Sequence, residues 1–259
     1  MNPAKIPSRV ALVTGAAKRL GRHIAIMLAQ RGWDIVVHYG ASQSEAQQVV
    51  AEIQAHGQHA IALPANLADE EQVRGLLAQA LLAFGRVDCV VNNASLFDAD
   101  TAHDFSQQKL DQHMHVNLMA PVLLAQGLYQ ATAHGRQACI INILDQKLYN
   151  LNPDYLSYTL SKAALQCATT TLAQALAPRV RVVGLAPGLS LRSGEQSESD
   201  FQIAHQMTPL GKSSSPDDIA HTVCFIADSP AITGTTIVVD GGQHLIPTAR
   251  DVMFLAKAE

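Results

Sequence analysis

Thr14-Gly15-Ala16-Ala17-Lys18-Arg19-Leu20-Gly21 follows a short β-like run, Arg9–Val13, and precedes a helical pattern carried by Ile24, Ile26, Met27 and Leu28 as far as Gly32. Strand, glycine-bearing turn and helix, in that order, aim backbone N–H groups and a helix N-terminus at a phosphate. A tight turn without a ligand would use glycine at the same places. A second β-like run at 34–38 closes a βαβ unit, and with that turn the unit favours dinucleotide binding.

The same alternation continues outward. Helical patterns at 44–56, 69–84, 113–134, from Tyr158 to Ala177, and 216–227 are interleaved with β-like runs at 59–63, 87–91, 137–143, 181–185 and 236–239. Strands alternating with helices from end to end predict a single Rossmann-type α/β domain over 1–259, a doubly wound parallel sheet of about seven strands with helices on both faces. From Leu191 to Ser215 the composition shifts to Ser, Glu, Gln and Gly, and organised sequence resumes after it. A mobile substrate lid over 190–215 is the reading. Ser215 before Pro216 forms the start signal of the following helix.

The chain has 259 residues, 48% apolar and 15% charged, with a formal net charge of −4. That balance allows a sizeable core and argues against disorder and against nucleic-acid binding. Cys89, Cys139, Cys167 and Cys224 are far apart without metal or redox spacing, and read as reduced core residues of a cytoplasmic protein. Val10 to Val13 is too short for a signal peptide, and no stretch could span a membrane. No metal site is expected.

Chemistry concentrates at the ends of the strands. After the second strand stand His38, Tyr39, Gly40, Ala41 and Ser42, with no acid to take a ribose 2′-hydroxyl, while Lys18 and Arg19 supply positive charge in the first turn. Donors without a carboxylate suit a 2′-phosphate, so NADP(H) is favoured. Asn66, after the third strand, is placed to meet an adenine or to begin a turn. Asn92-Asn93-Ala94 is either a capped turn or a cofactor wall. Asn117, inside an apolar helical face, must be hydrogen-bonded if buried, either structurally or through a relay water. Tyr158 and Lys162, four apart on a helix, face the same way. An ammonium one turn away favours the phenolate and would lower a tyrosine pKa from about 10.

Together these motifs resemble the short-chain dehydrogenase/reductase family over essentially the full length. The Thr14–Gly21 turn, Asn92-Asn93-Ala94, Asn117, Tyr158-x-x-x-Lys162, Pro187-Gly188 and Asp240-Gly241-Gly242 match in order and spacing. Two departures are similar to the pteridine reductase branch, including bacterial dihydromonapterin reductases. Arg19 replaces the middle glycine of the turn, and Asp145 stands where the general family has a catalytic Ser. Asn93-Ala94-Ser95-Leu96-Phe97 and Pro187-Gly188-Leu189-Ser190 match that branch too, whereas its Arg after the second strand is missing, Gly40-Ala41 standing there.

The resemblance implies NADPH-dependent reduction of a pterin C=N bond. Tyr158 would donate the proton, Lys162 would hold the nicotinamide ribose and tune Tyr158, Asp145 would orient or re-protonate Tyr158, and Asn117 would hold a relay water. Cofactor contacts would come from Gly15, Lys18, Arg19, Leu20, Gly21, His38, Tyr39, Ser42, Asn66, Leu67, Asn93, Ala94, Ser95, Tyr158, Lys162, Pro187, Gly188 and Ser190. Substrate would meet Arg19, Ser95, Phe97, Asp145 and Tyr158, with Phe97 stacked on the pterin. A homotetramer is expected, since the family buries the 113–134 and Tyr158 helices between subunits. The rival readings are a ketone reductase, such as a 3-oxoacyl carrier-protein reductase, and a dinucleotide-binding regulator without turnover. Asp145 counts against the ketone, because a carboxylate repels a developing alkoxide.

Overall fold

The computed structural model describes residues 8–192 and 197–255, apart from the side chain of Met253. Seven strands, β1 (Arg9–Val13), β2 (Trp33–Tyr39), β3 (Ala60–Pro64), β4 (Cys89–Asn92), β5 (Ala138–Ile143), β6 (Val180–Pro187) and β7 (Thr236–Val239), form one parallel sheet. Their order is β3-β2-β1-β4-β5-β6-β7. The helices are α1 (Arg19–Gln30), α2 (Gln43–Ala55), α3 (Glu70–Phe84), α4 (Gln107–Met114), α5 (Ala120–Ala131), α6 (Leu156–Leu176), α7 (Glu198–Gln206), α8 (Pro216–Asp228) and the short α9 (Val252–Leu255).

Strand periodicity decides which helix covers which face. Ala11 and Val13 of β1 share one core cluster with Ile24 and Leu28 of α1, Ala46 and Val49 of α2, and Ile219 and Val223 of α8. Val10 and Leu12 turn the other way, into a cluster with Val73 and Leu76 of α3, Leu124 and Leu128 of α5, and Ala173 of α6. A strand buried on both sides has no polar face, which is why β1 reads as a continuous apolar run. Leu12 is 0% exposed. Truncating it to Ala would cost roughly 2–5 kcal/mol.

The chain winds from β1 outward to β3, then crosses back to β4 and winds the other way. β1 and β4 are therefore neighbours, with Val13 beside Val91. The crevice at their carboxyl ends is the switch point where such sheets bind ligands.

Three expectations change. The helix expected at 113–134 begins earlier, as α4, capped by Ser106 accepting from Lys109 N. It passes through a π-helical turn, His115–Met119, before α5. An extra residue in that turn leaves Asn117 facing inward, and π-turns of this kind recur at functional sites. The expected lid contains α7, started by Ser197 accepting from Asp200 N. It is tethered by His205 Nδ1, 3.0 Å from Leu189 O, while residues 193–196 lie outside those described. Cys89, Cys139 and Cys224 are buried free thiols, but Cys167 is exposed, on the outer side of α6.

Candidate active site

The glycine turn is locked from below. Thr14 Oγ1 accepts the backbone N–H groups of Asn93 and Ala94, at 2.9 and 3.0 Å. Asn93 Nδ2 donates back to Thr14 O at 2.8 Å and Gly15 O at 3.3 Å. A Cβ on Gly21 would sit 2.2 Å from Gly15 O, so only glycine lets the first turn of α1 approach the loop. Arg19 holds φ +52°. This left-handed conformation costs a side-chain-bearing residue roughly 1–2 kcal/mol. Its guanidinium donates to Arg192 O at 2.6 Å, tying the turn to the segment entering the lid.

His38 has both ring nitrogens engaged by the protein. It is buried at 2% exposure. Its Nδ1 accepts Gly15 N–H at 3.0 Å and its Nε2 lies 3.1 Å from Ala65 O. The two bonds fix the tautomer with the proton on Nε2, and burial pushes the pKa below its usual value against the opposing effect of the Ala65 bond. A neutral, fully engaged imidazole holds the turn to the ends of β2 and β3. Tyr39 is also a core residue. Tyr39 and Ser42 line neither of the two cavities described below. Asn66 engages its amide oxygen locally, accepting Ala68 N at 3.0 Å.

An acid does stand near the first turn, three residues beyond Ser42. Glu45 of α2 meets Lys18 Nζ at 2.6 Å. The Lys18 hydrogen bond holds the Glu45 carboxyl below its usual pKa.

At the other end of the crevice, Tyr158 Oη donates to Asp145 Oδ2 at 2.7 Å. Asp145 Oδ1 accepts Lys147 N–H at 2.8 Å and so caps the short 3₁₀ turn Gln146–Tyr149. Lys162 Nζ donates to Ile143 O at 2.7 Å and lies 5.8 Å from the Tyr158 ring centroid. The tyrosine pKa moves opposite to the expectation. Burial, then the Asp145 charge, push Tyr158 well above its usual value. Burial also lowers Lys162 to about 8 and raises Asp145, the latter against the Tyr158 bond.

Asn117 is buried and fully satisfied by protein. Its amide nitrogen donates to Leu96 O at 3.0 Å and Ser161 Oγ at 2.9 Å. Its oxygen accepts Leu96 N at 2.8 Å and Ser95 Oγ at 3.2 Å. Four bonds exhaust a carboxamide. The side chain therefore stitches the 95–97 loop to α6 and has no capacity left for a relay water.

Phe97 stacks on Tyr155 with centroids 4.3 Å apart and meets Tyr158 edge-on at 4.6 Å. Tyr155 holds φ 56° at the N-cap of α6 and offers no side-chain cap. Asp100 supplies the cap from a distance, accepting Ser157 N at 2.9 Å on its carboxylate and Leu156 N at 3.1 Å on its carbonyl.

These groups surround a cavity of 560 Å³ walled by the glycine turn, Asn93–Ser95, Phe97, Asp145, Tyr158, Lys162 and Pro187–Leu191. A second cavity of 480 Å³, lined by Gly40, Ala65, Asn66 and Leu67, shares Gly15, Ala94 and Ser95 with the first. Gly188 is required there, since a Cβ would lie 2.4 Å from Ser213 Oγ. Sequence reasoning missed Gln146, Gln243, Asp251 and Val252 in the first wall. Gln243 Oε1 accepts Leu189 N–H at 3.1 Å, and its place just after Asp240-Gly241-Gly242 was its only signal. Asp251 and Val252 belong to no motif.

The parallel sheet, the phosphate-cradling turn at its switch point and the Asp145–Tyr158–Lys162 group define a Rossmann-type oxidoreductase. A family profile described as Enoyl-(Acyl carrier protein) reductase matches residues 15–244. The 3-oxoacyl-[acyl-carrier-protein] reductase FabG of Staphylococcus aureus is 33% identical, over 92% of this chain and 99% of its own. The chain belongs to the short-chain dehydrogenase/reductase family. Among solved structures, FolM alternative dihydrofolate reductase 1 from Brucella suis in complex with NADP is 37% identical, with a TM-score of 0.86 over 93% of this chain and 97% of that one. A short-chain dehydrogenase from Burkholderia cenocepacia in complex with NADP is 31% identical, with a TM-score of 0.84 over 92% and 98%.

Proposed function

We propose that the protein is an NADPH-dependent reductase of a pterin C=N bond, taking a dihydropterin to the tetrahydro form. The observation that carries this reading is the carboxylate of Asp145 bonded to Tyr158 where a ketone reductase of this family would present a hydroxyl. The likeness to FolM supports it.

The residues present fit a dinucleotide. The two contiguous cavities form a groove of suitable length. At its middle a Cβ on Gly21 would collide with the turn itself; the N–H groups of Gly15 and Ala16 are taken by His38, which leaves those at the start of α1 to meet phosphate. Gly15, Lys18, Arg19 and Gly21 would hold the phosphates; Gly40, Ala65, Asn66 and Leu67 would surround the adenosine; Ala94, Ser95, Pro187, Gly188 and Ser190 would flank the nicotinamide half. Bound NADPH would supply the hydride. The NADP complexes of the two solved neighbours support that choice of dinucleotide.

Tyr158 remains a neutral phenol in its buried setting and gives its proton to the substrate nitrogen as the adjacent carbon is reduced. Asp145 orients the Tyr158 phenol across the 2.7 Å bond and relays a proton from solvent back to the phenolate. Lys162, whose ammonium donates to Ile143 O, would hold a ribose hydroxyl of the bound dinucleotide and stabilise the transient phenolate. Phe97 offers a flat apolar wall to a fused heterocycle.

The 3-oxoacyl carrier-protein reductase reading has one observation in its favour, the 33% identity to FabG. NADPH consumption measured with dihydromonapterin, dihydrobiopterin, dihydrofolate and an acetoacetyl thioester decides between them. Turnover of the dihydropterins with little on the thioester is the expected result. The reverse order overturns the pterin reading, and binding of NADPH without turnover of any of the four would indicate a regulator.

A further inference from the structure

Phe97 sits on a loop, yet a ring that serves as a wall must keep one direction. The loop runs along one face of the helix that follows it. Lys109, His113 and Asn117 stand at successive fours on that face. Lys109 Nζ donates to Ala99 O at 2.8 Å, and His113 Nε2 accepts Asp98 N–H at 3.3 Å. Asn117 takes Leu96 on both sides, donating to its O at 3.0 Å and accepting its N–H at 2.8 Å. The loop is therefore gripped in reverse chain order, with Phe97 between the bonds to Asp98 and to Leu96.

His113 is buried at 0% exposure and lines neither of the two cavities. Its Nδ1 lies 2.8 Å from Lys109 O. A carbonyl oxygen only accepts, so Nδ1 carries the proton and Nε2 presents its lone pair. That is the tautomer the Asp98 N–H requires. This N–H has no other partner among the described residues. An imidazole buried here for packing alone would fill its space no better than an apolar side chain. What its second nitrogen adds is the hold on Asp98.

The consequence for Phe97 follows from the rigidity of the peptide plane, which leaves a residue only φ and ψ to turn. Leu96 O belongs to the plane before the Phe97 Cα, and Asp98 N–H belongs to the plane after it. Asn117 fixes the first and His113 fixes the second. With both planes held, the Cα–Cβ direction of Phe97 is set. Asn117 alone would leave the second plane free to turn about ψ. The ring so directed stacks on Tyr155 at 4.3 Å, meets Tyr158 edge-on at 4.6 Å and forms part of the cavity wall.

We propose that His113 is a positioning residue of the substrate wall: by accepting the Asp98 N–H it fixes the peptide plane after Phe97 and so aims the ring at the ligand. The proposal rests on the reading of Phe97 as a wall for a flat heterocycle and adds the residue that directs it. His113 touches no ligand and acts on substrate only through Phe97.

The test is a double-mutant cycle read on the KM of a dihydropterin at saturating NADPH. His113→Asn keeps an N–H donor near Lys109 O but is too short to reach Asp98, whereas His113→Gln can place its amide oxygen where Nε2 stood. His113→Asn should raise KM by about twofold or more, the scale of one hydrogen bond, with kcat and NADPH affinity little changed. His113→Gln should bring KM back to that of the unmodified protein. On a Phe97→Ala background, His113→Asn should raise KM no further, because no ring is left to aim. Lost stability appears equally in both backgrounds and drops out of the comparison. If His113→Asn does not fold, His113→Phe fills the space without an acceptor and takes its place. An unchanged KM in a folded variant overturns the proposal, as does an equal rise with and without the Phe97 ring, and either leaves the pterin reading standing. If Phe97→Ala alone leaves KM unmoved, or no dihydropterin is turned over, the wall itself is refuted and this proposal with it.

Discussion

The Tyr158 hydroxyl donates a hydrogen bond to Asp145 across 2.7 Å, inside a cavity wall where both groups are raised above their ordinary pKa values. Burial dominates both shifts, and the carboxylate adds to the tyrosine's. Tyr158 is therefore a neutral phenol in the ligand-free protein, not a phenolate. Two acids whose ionisation is mutually unfavourable titrate as a unit.

Tyr158→Phe removes the donor and leaves the ring. Turnover should fall by roughly 10²–10⁴-fold while NADPH affinity stays within about twofold. Asp145→Ser keeps an oxygen able to cap the turn at Lys147, so its melting temperature should move little. Its pterin kcat should drop, by roughly tenfold or more, and its ketone turnover should rise, since a hydroxyl can donate to an alkoxide. Stopped-flow rates on both substrates check this. Near-normal turnover by Tyr158→Phe would end its assignment as donor.

Lys162 gives a prediction for the ligand-free protein. Burial lowers its folded pKa to about 8, below the ordinary 10.5 of a lysine, so the folded state binds fewer protons than the unfolded state between these two pH values. Stability contributed by this group therefore rises with pH across that window, and its burden is fully present below pH 8. Lys162→Met abolishes the titration. The difference in unfolding free energy, unmodified minus variant, should climb by about 3 kcal/mol between pH 7.5 and 10.5, following 1.36 kcal/mol per pKa unit. Cys224 and Tyr158 titrate in both proteins and drop out of the difference. A flat difference curve would show that the ammonium carries no such strain.

Most of the architecture was open to reading because each element is locally consistent. The apolar run of β1, the Ser215-Pro216 start of α8 and the glycine turn each agree with the fold that surrounds them. What the sequence left open has a different cause. His38, Asn66 and Asn117 are polar residues beside a ligand site, and nothing local says whether such a residue faces the ligand or the backbone. Distant carbonyls and N–H groups decided that, Ala65 and Gly15 for His38, Leu96 for Asn117. The sign of the Tyr158 shift depended likewise on burial, which spacing along a helix does not report. Asp251 reaches Lys147 across 104 positions, a pairing no local pattern encodes.

Glu45 bears on the cofactor. It engages Lys18, the side chain expected to meet a 2′-phosphate, at 2.6 Å. A phosphate must compete with that carboxylate. Glu45→Gln should therefore raise NADPH affinity several-fold and leave NADH affinity nearly unchanged, with the gain shrinking at high salt because the pair is exposed. Fluorescence titration with both nucleotides measures it. A gain for both alike would mean that Lys18 does not see the 2′-phosphate.

Assembly as a homotetramer is proposed on the character of exposed side chains. Met119 is 46% exposed and Leu160 45%, on the segments leading into α5 and along α6, and Phe254 and Leu255 are each 41% exposed on α9. Helices apolar on more than one face need cover on more than one side. Light scattering should give four times the chain mass at micromolar concentration. Leu160→Glu should reduce that mass, and a monomer for the unmodified protein would refute the proposal.

Phe97 distinguishes a ligand wall from a core residue. It is 37% exposed at the cavity, backed by Tyr155 at 4.3 Å, with Phe254 beyond. A ring stacked on a pterin contributes roughly 0.5–1.5 kcal/mol beyond the area it buries, which corresponds to about two- to twelvefold in affinity. Phe97→Ala should raise KM for the dihydropterin by that factor or more and leave NADPH affinity unchanged. Phe254→Ala removes a support two rings away from the substrate, so its effect on KM should be smaller while its effect on melting temperature is of similar size. If Phe97 serves only packing, the two variants will instead lose pterin and ketone activity in parallel, each in proportion to lost stability. A selective rise in pterin KM for Phe97→Ala, with ketone KM unmoved, would support its place against the heterocycle.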